Sequence, residues 1–112
     1  MVTPAAGSVV LVPFPFSDLS QSKRRPAVVL AGAERGDWIL CQVTSKPYAD
    51  ARAVELTDND FVQGSLRITS YARPAKLFTA HESLFVSEVG VLSVGSLKKI
   101  TDEVVAVIQR NV

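Results

Sequence analysis

Apolar and polar positions change their period along this chain, and those changes outline its elements. From Ser8 to Phe14 the run SVVLVPF is rich in valine and has the composition of a strand. The PFPFSDLSQSK that follows cannot continue a central ladder, because its prolines, serines and aspartate break one. A long loop is therefore predicted from Phe14 to Lys23, with a length and composition that permit motion. The stretch KRRPAVVLAG, Lys23 to Gly32, comes next. Pro26 biases Arg25 toward extended backbone, and Ala27 to Leu30 is an unbroken apolar run of the kind covered on both faces. A second strand is expected here, with Arg25 fixed at its entry. After the break at RGD, a third strand runs from Trp38 to Val43 and ends at Thr44 and Ser45.

Ala53 to Leu56 reads as a fourth strand. TDNDFVQG then reads as a short helix, with an Asp or Asn cap before Phe61 and Gly64 just past its end. In LRITSYARP the alternation places Arg67, Thr69, Tyr71 and Arg73 on one face and Leu66, Ile68, Ser70 and Ala72 on the other. AKLF prolongs this ribbon after Pro74, and Thr79 with Glu82 has capping-box spacing for one helical turn. The last segment shifts to a helical period: Leu97, Ile100, Val104, Val107 and Ile108 share a stripe, with Lys98, Lys99, Asp102, Glu103 and Arg110 mostly off it. Continuity through Leu97 favours Ser93 or Ser96 over Thr101 as the cap. The fold class is mainly β with helices, a small barrel followed by one long C-terminal helix.

Length and charge narrow the picture. The 112 residues suit one domain, 1–112, without an internal boundary. Twelve Lys plus Arg against eleven Asp plus Glu leave a net charge of +1, so attraction for nucleic acid must come from local clustering. Lys23, Arg24 and Arg25 have no acid within four positions, while Asp50, Glu55, Asp58 and Asp60 lie together in mid-chain. Cys41 is the single cysteine, which excludes an intrachain disulfide and any CxxC motif and fits a reducing, cytoplasmic setting. The N-terminus lacks a signal-peptide pattern, and no apolar run approaches the ~20 residues that span a bilayer, so no membrane association is expected.

There is no metal-ligand spacing and no Gly-rich phosphate loop, and neither a metal nor a cofactor is expected. What remains is a set of strand ends. Arg25 and Thr44 sit at the termini of the second and third strands, and barrel closure can bring Ser45, Lys46, Arg73 and Lys76 near them. An arginine beside hydroxyl donors suits a phosphodiester, whose transition state gathers charge on its non-bridging oxygens. Lys23 and Arg24 are candidates for steering phosphates, balanced against a solvated charged loop. The plainer readings are an ion pair of Arg25 with Asp18 or Glu55, a Thr44 hydroxyl that satisfies a backbone group, and packing for Trp38 and Cys41. His81 tempts an acid–base role, yet a lone histidine in a turn is more often incidental. Phe14 and Phe16 suit either stacking on a base or bracing the loop.

The order GSVVLVPFPFSD, KRRPAVVL, WILCQVTS and SYARPAKLFT resembles the MazF/PemK family of toxin endoribonucleases of type II toxin–antitoxin systems, from Gly7 to about Gln109. The resemblance implies an SH3-like barrel of the MazF/PemK/CcdB kind with a C-terminal helix, and a homodimer. It further implies metal-independent cleavage of single-stranded RNA to 2′,3′-cyclic phosphate and 5′-hydroxyl ends. Inhibition by a cognate antitoxin is implied too, with DNA contacted only indirectly through that antitoxin. The family's catalytic arginine and threonine fall on Arg25 and Thr44, and Lys23, Arg24, Ser45, Lys46, Arg73 and Lys76 are the expected RNA contacts. Where many members carry Arg-Thr-Ile-Asp, this chain has Phe78, Thr79, Ala80 and His81, so base preference does not carry over. Two other expectations stand beside the nuclease: a non-enzymatic toxin of this fold that poisons a topoisomerase, and a degenerate barrel that only binds RNA or its antitoxin.

Overall fold

A computed structural model describes residues 3–15, 22–46 and 50–110. Seven strands form one antiparallel sheet: β1 (Ser8–Pro15), β2 (Ser22–Gly32), β3 (Asp37–Thr44), β4 (Val54–Leu56), β5 (Phe61–Gly64), β6 (Ser70–His81) and β7 (Ser87–Leu92). Their order is β4-β6-β3-β2-β1-β7-β5, and the sheet curls into a half-barrel with helix α1 (Val94–Gln109) following it. The mainly β class and the barrel-like curl expected from the sequence are both present.

The valine-rich strands are central because both of their faces are buried. Alternate residues point to opposite sides, and here each side has its own core. Val9, Val28, Cys41 and Val43 join Leu56, Ala72, Leu92, Ile100 and Val104 on one face. Val10, Val12, Ala27, Val29 and Leu40 join Ala80 and Phe85 on the other. An unbroken apolar run is what such a strand requires, and Ala27, Val28 and Val29 are each at most 1 % exposed. Helix α1 is capped by Ser93, whose hydroxyl accepts the Ser96 N–H at 3.2 Å. It buries Ile100 and Val104, each contributing ~2 kcal/mol of apolar transfer. The stripe is narrower than its sequence period suggested, since Ile108 is 59 % exposed.

Several boundaries differ from expectation. The second strand starts at Ser22, so Arg25 lies inside it and not at its entry. TDNDFVQG is not one helix: Thr57 caps a single 3₁₀ turn, Asp58–Asp60, through a capping box with Asp60, and Phe61–Gly64 is already β5. Gly64 ends that strand at φ 72°, where an added Cβ would lie 2.2 Å from the Val89 carbonyl oxygen. Only glycine fits there. Strand β6 begins at Ser70, after the alternating residues 66–69, and runs through Pro74. The turn at Glu82–Leu84 is capped by His81, not Thr79. Strand β7 had no counterpart in the sequence reading.

Candidate active site

A gap in the sheet builds the site. The ladder between β2 and β3 ends at Ala27–Gln42, next to Pro26, which has no N–H with which to extend it. Beyond that point each strand keeps its other neighbour. Lys23 to Pro26 pair with Phe14 to Leu11 of β1, while Val43 and Thr44 pair with Ala72 and Tyr71 of β6. Extending the lost register by two residues sets Arg25 across from Thr44. Both line one groove of about 770 Å³, together with Lys23, Arg24, Pro26, Val43 and Ser45. Arg25 is half-buried, and Thr44 is 4 % exposed. The Thr44 Oγ1 accepts the Lys46 N–H at 3.1 Å, so the plain backbone-satisfying role is real. That bond occupies a lone pair and leaves the hydroxyl proton to be donated.

The opposite wall is the connection from β5 to β6. Ser65, Leu66, Arg67, Ile68 and Ser70 line the groove from that side, with Leu11 and Val89 beneath. The wall is pinned by its own bonds. Ser65 N–H donates to the Val89 carbonyl at 3.2 Å, Arg67 N–H donates to Ser65 Oγ at 2.8 Å, and Ser65 Oγ donates to Asp58 Oδ1. Arg67 sits at φ 66°, uncommon for a residue with a long side chain. Four cations, Lys23, Arg24, Arg25 and Arg67, line the groove, and no carboxylate is among the described residues that do. The sequence reading missed this wall. A left-handed arginine has no sequence signature, although Gly64 ahead of the polar SLRITS marks a turn.

Not every expected contact assembles here. Of the candidates, Arg25, Thr44, Lys23, Arg24 and Ser45 come together; Lys46, Arg73 and Lys76 do not line the groove. Arg73 Nε pairs with Asp50 Oδ2 at 3.3 Å, both side chains being mostly buried, and Lys76 is exposed on β6. The reason is a bulge: between the Leu77–Cys41 and Ala72–Val43 pairs, four residues of β6, 73–76, stand against the single residue Gln42 of β3. Cys41 Sγ spans it, donating to the Arg73 carbonyl at 3.1 Å. Burial pushes that thiol up to about 12.

Phe78 to Ala80 pair with β3 and line a separate hollow with Phe14, so this departure from the family motif lies away from the groove. Phe14 meets Phe78 edge to face at 4.9 Å between ring centres. His81 Nδ1 accepts the Ser83 N–H at 3.1 Å, a capping role, and Trp38 Nε1 donates to Glu82 at 2.9 Å. Glu55 belongs to β4, opposite Tyr71, and does not line the groove. Asp18, Phe16 and the rest of residues 16–21 lie outside the described residues, while the ends of the predicted Phe14–Lys23 loop are strand, with Phe14 paired to Lys23 and Pro15 to Ser22.

One acid anchors the far wall. Asp60 accepts from Thr57 N–H at 2.8 Å and from Ser96 Oγ at 2.7 Å, and its carbonyl accepts the Ser93 N–H at 2.8 Å, tying the 3₁₀ turn to the start of α1. Burial works to raise its carboxyl, but these hydrogen bonds and the charge of Lys99 outweigh burial and hold it below the usual carboxylate range. Among the described residues no cluster of three or more His, Cys, Asp or Glu could hold a metal ion, and no helix is long and apolar enough to cross a membrane.

The profile of "PemK-like, MazF-like toxin of type II toxin-antitoxin system" matches residues 5–108. The chain belongs to the PemK/MazF-like toxin family. Solved structures agree on the fold. The MazF of Deinococcus radiodurans superposes with a TM-score of 0.76 at 21 % identity, over 97 % of this chain and 99 % of that one. In a MazE–MazF complex from the same organism the figures are 0.75 and 21 %, over 97 % and 98 %. An endoribonuclease in complex with its cognate antitoxin, from a mycobacterial species, gives 0.76 at 13 % identity over 96 % of each chain. No curated protein sequence matches the chain significantly.

Proposed function

We propose that this PemK/MazF-like toxin is an endoribonuclease that cuts single-stranded RNA in the groove between β2 and β3 and thereby arrests growth. What supports the reading is a guanidinium and a nearly buried threonine hydroxyl at one opening, where the described residues of the lining include four cations and no carboxylate. A groove so lined attracts a phosphodiester backbone despite a net charge of only +1. The substrate's 2′-oxygen attacks the adjacent phosphorus. As the 2′-hydroxyl gives up its proton to water, a 2′-O–P bond forms and the P–O5′ bond breaks, the 5′-oxygen takes up a proton from water, and a 2′,3′-cyclic phosphate and a 5′-hydroxyl remain.

In this reading Arg25 donates to the non-bridging oxygens as negative charge builds on them, and its partial burial strengthens that interaction. Its role is electrostatic, since an arginine stays protonated at neutral pH and is a poor base. Thr44 donates its free proton to the phosphate or orients the attacking hydroxyl. Lys23, Arg24 and Ser45 hold the flanking backbone. The chain acts as one domain, as a homodimer in the cytoplasm, and is silenced by a cognate antitoxin that covers this groove. The solved relatives bound to an antitoxin support such a partner.

The test is digestion of a long RNA by purified protein in EDTA, with the ends mapped. Fragments with cyclic-phosphate ends that vanish in Arg25→Ala are expected, and RNA left intact at stoichiometric protein overturns the reading. If gyrase activity falls while RNA stays whole, the topoisomerase alternative takes its place.

A further inference from the structure

Beside the groove lies a second, smaller hollow of about 240 Å³, bounded by Thr57, Asp58 and Asn59 on one side and Arg67, Ile68 and Thr69 on the other. It shares Arg67 and Ile68 with the groove, so a strand lying on Arg25 and Thr44 has an adjoining place for one neighbouring group. Its chemistry differs from the groove's. Its lining residues bring a carboxylate, a guanidinium, an amide and two threonine hydroxyls, and the carboxylate disfavours a phosphate. A flat, uncharged ligand with both donors and acceptors on its edges is favoured.

The two charged groups are held in relation to each other. The Asp58 carboxylate accepts the Ser65 hydroxyl, and the same Ser65 oxygen accepts the Arg67 N–H at 2.8 Å. The left-handed backbone at Arg67, φ 66°, is thus fixed by a bond to the residue that also fixes the acid. Ile68, 63 % exposed, stands at the boundary of both hollows as an apolar surface against which a ring can lie. Single-stranded RNA is read in this way, with a base splayed from the strand, stacked on a side chain and hydrogen-bonded along its edges.

Guanine is the base whose edges match. Its N1–H and N2–H₂ donate, which a carboxylate accepts, while O6 and N7 accept from an arginine fork. Building on the nuclease reading, we infer that the hollow between the Thr57–Asn59 turn and Arg67 is a base-reading subsite that selects guanine at one fixed position beside the scissile phosphate. Asp58 reads the Watson–Crick edge, Arg67 reads O6 and N7, and Asn59 closes the remaining side.

The cut sites in a long RNA of mixed sequence test this, compared between the wild-type chain, Asp58→Asn and Arg67→Gly. Glycine accepts the left-handed backbone at position 67, so that variant removes the guanidinium without unseating the wall. Wild-type cuts should show guanine enriched about tenfold or more at one position, falling to within about twofold in both variants. A wild-type motif without fixed guanine, or one unchanged in both variants, overturns the subsite and leaves the nuclease standing. RNA uncut by the wild-type chain overturns the nuclease reading instead. Binding to uncleavable 2′-O-methyl oligonucleotides then decides the subsite: a guanine preference lost in Arg67→Gly supports it, and indifference to guanine removes it.

Discussion

The two halves of β2 share one strand and serve opposite ends. At Ala27 and Val28 it pairs on both sides, with β1 and β3, and Ala27 to Val29 are buried. From Lys23 to Pro26 its recorded pairing is with β1 alone, and its side chains line an open groove. Proline divides them. Placed at the point where a ladder bond to β3 would be required, Pro26 ends that pairing and leaves room between the strands for a ligand. The positive charge of KRRP is tolerable at the mouth of a core strand because the sheet is split there.

The comparison is broken most severely by Arg25→Ala. If the charged half is chemical, RNA cleavage should fall about 10²- to 10³-fold, as loss of one transition-state donor does, while the thermal midpoint barely moves. Initial rates beside a melting curve measure both. Val28→Ala, three residues on, should do the reverse, costing roughly 2 kcal/mol in denaturant unfolding while residual folded protein keeps its cleavage rate. Comparable loss of stability from both would mean that the two halves are not distinct. Thr44→Val sharpens the contrast from across the gap. It removes the proton donor and strands the Lys46 N–H, so cleavage should drop while stability falls by about 1 kcal/mol.

The smallest effect concerns the far wall. Asp60 titrates below its ordinary 3.8, so its contribution to stability is present above that value and disappears as pH falls through the lower folded-state value. The stability difference between wild type and Asp60→Asn should therefore shrink as pH falls below about 4, and a difference that grew on acidification would contradict the assignment.

Legibility in the sequence followed the range of the forces involved. Strands β1 to β3 and the Ser93 cap of α1 could be read because valine runs, Pro26 and a 3.6-residue stripe act locally. Arg25 and Thr44 were found as strand ends, with the family resemblance assigning their roles. Arg73 was misplaced for a non-local reason: its partner Asp50 lies 23 residues away, and the bulge that carries it off depends on how β6 pairs with β3. The segment after Thr57 misled because a capping residue, a short turn and a glycine resemble a helix. Only the contact of Gly64 with the Val89–Gly90 backbone reveals a strand end. Arg67 was missed because its backbone conformation, not its residue type, brings it to the groove.

Cys41 offers a way to watch the molecule breathe. With its proton retained to about 12 and its sulfur turned onto a carbonyl inside the core, it is silent toward thiol reagents while the barrel is shut. Its rate of labelling therefore counts the rare openings of the central sheet, and a single native atom becomes a clock for them, with no label engineered into the chain.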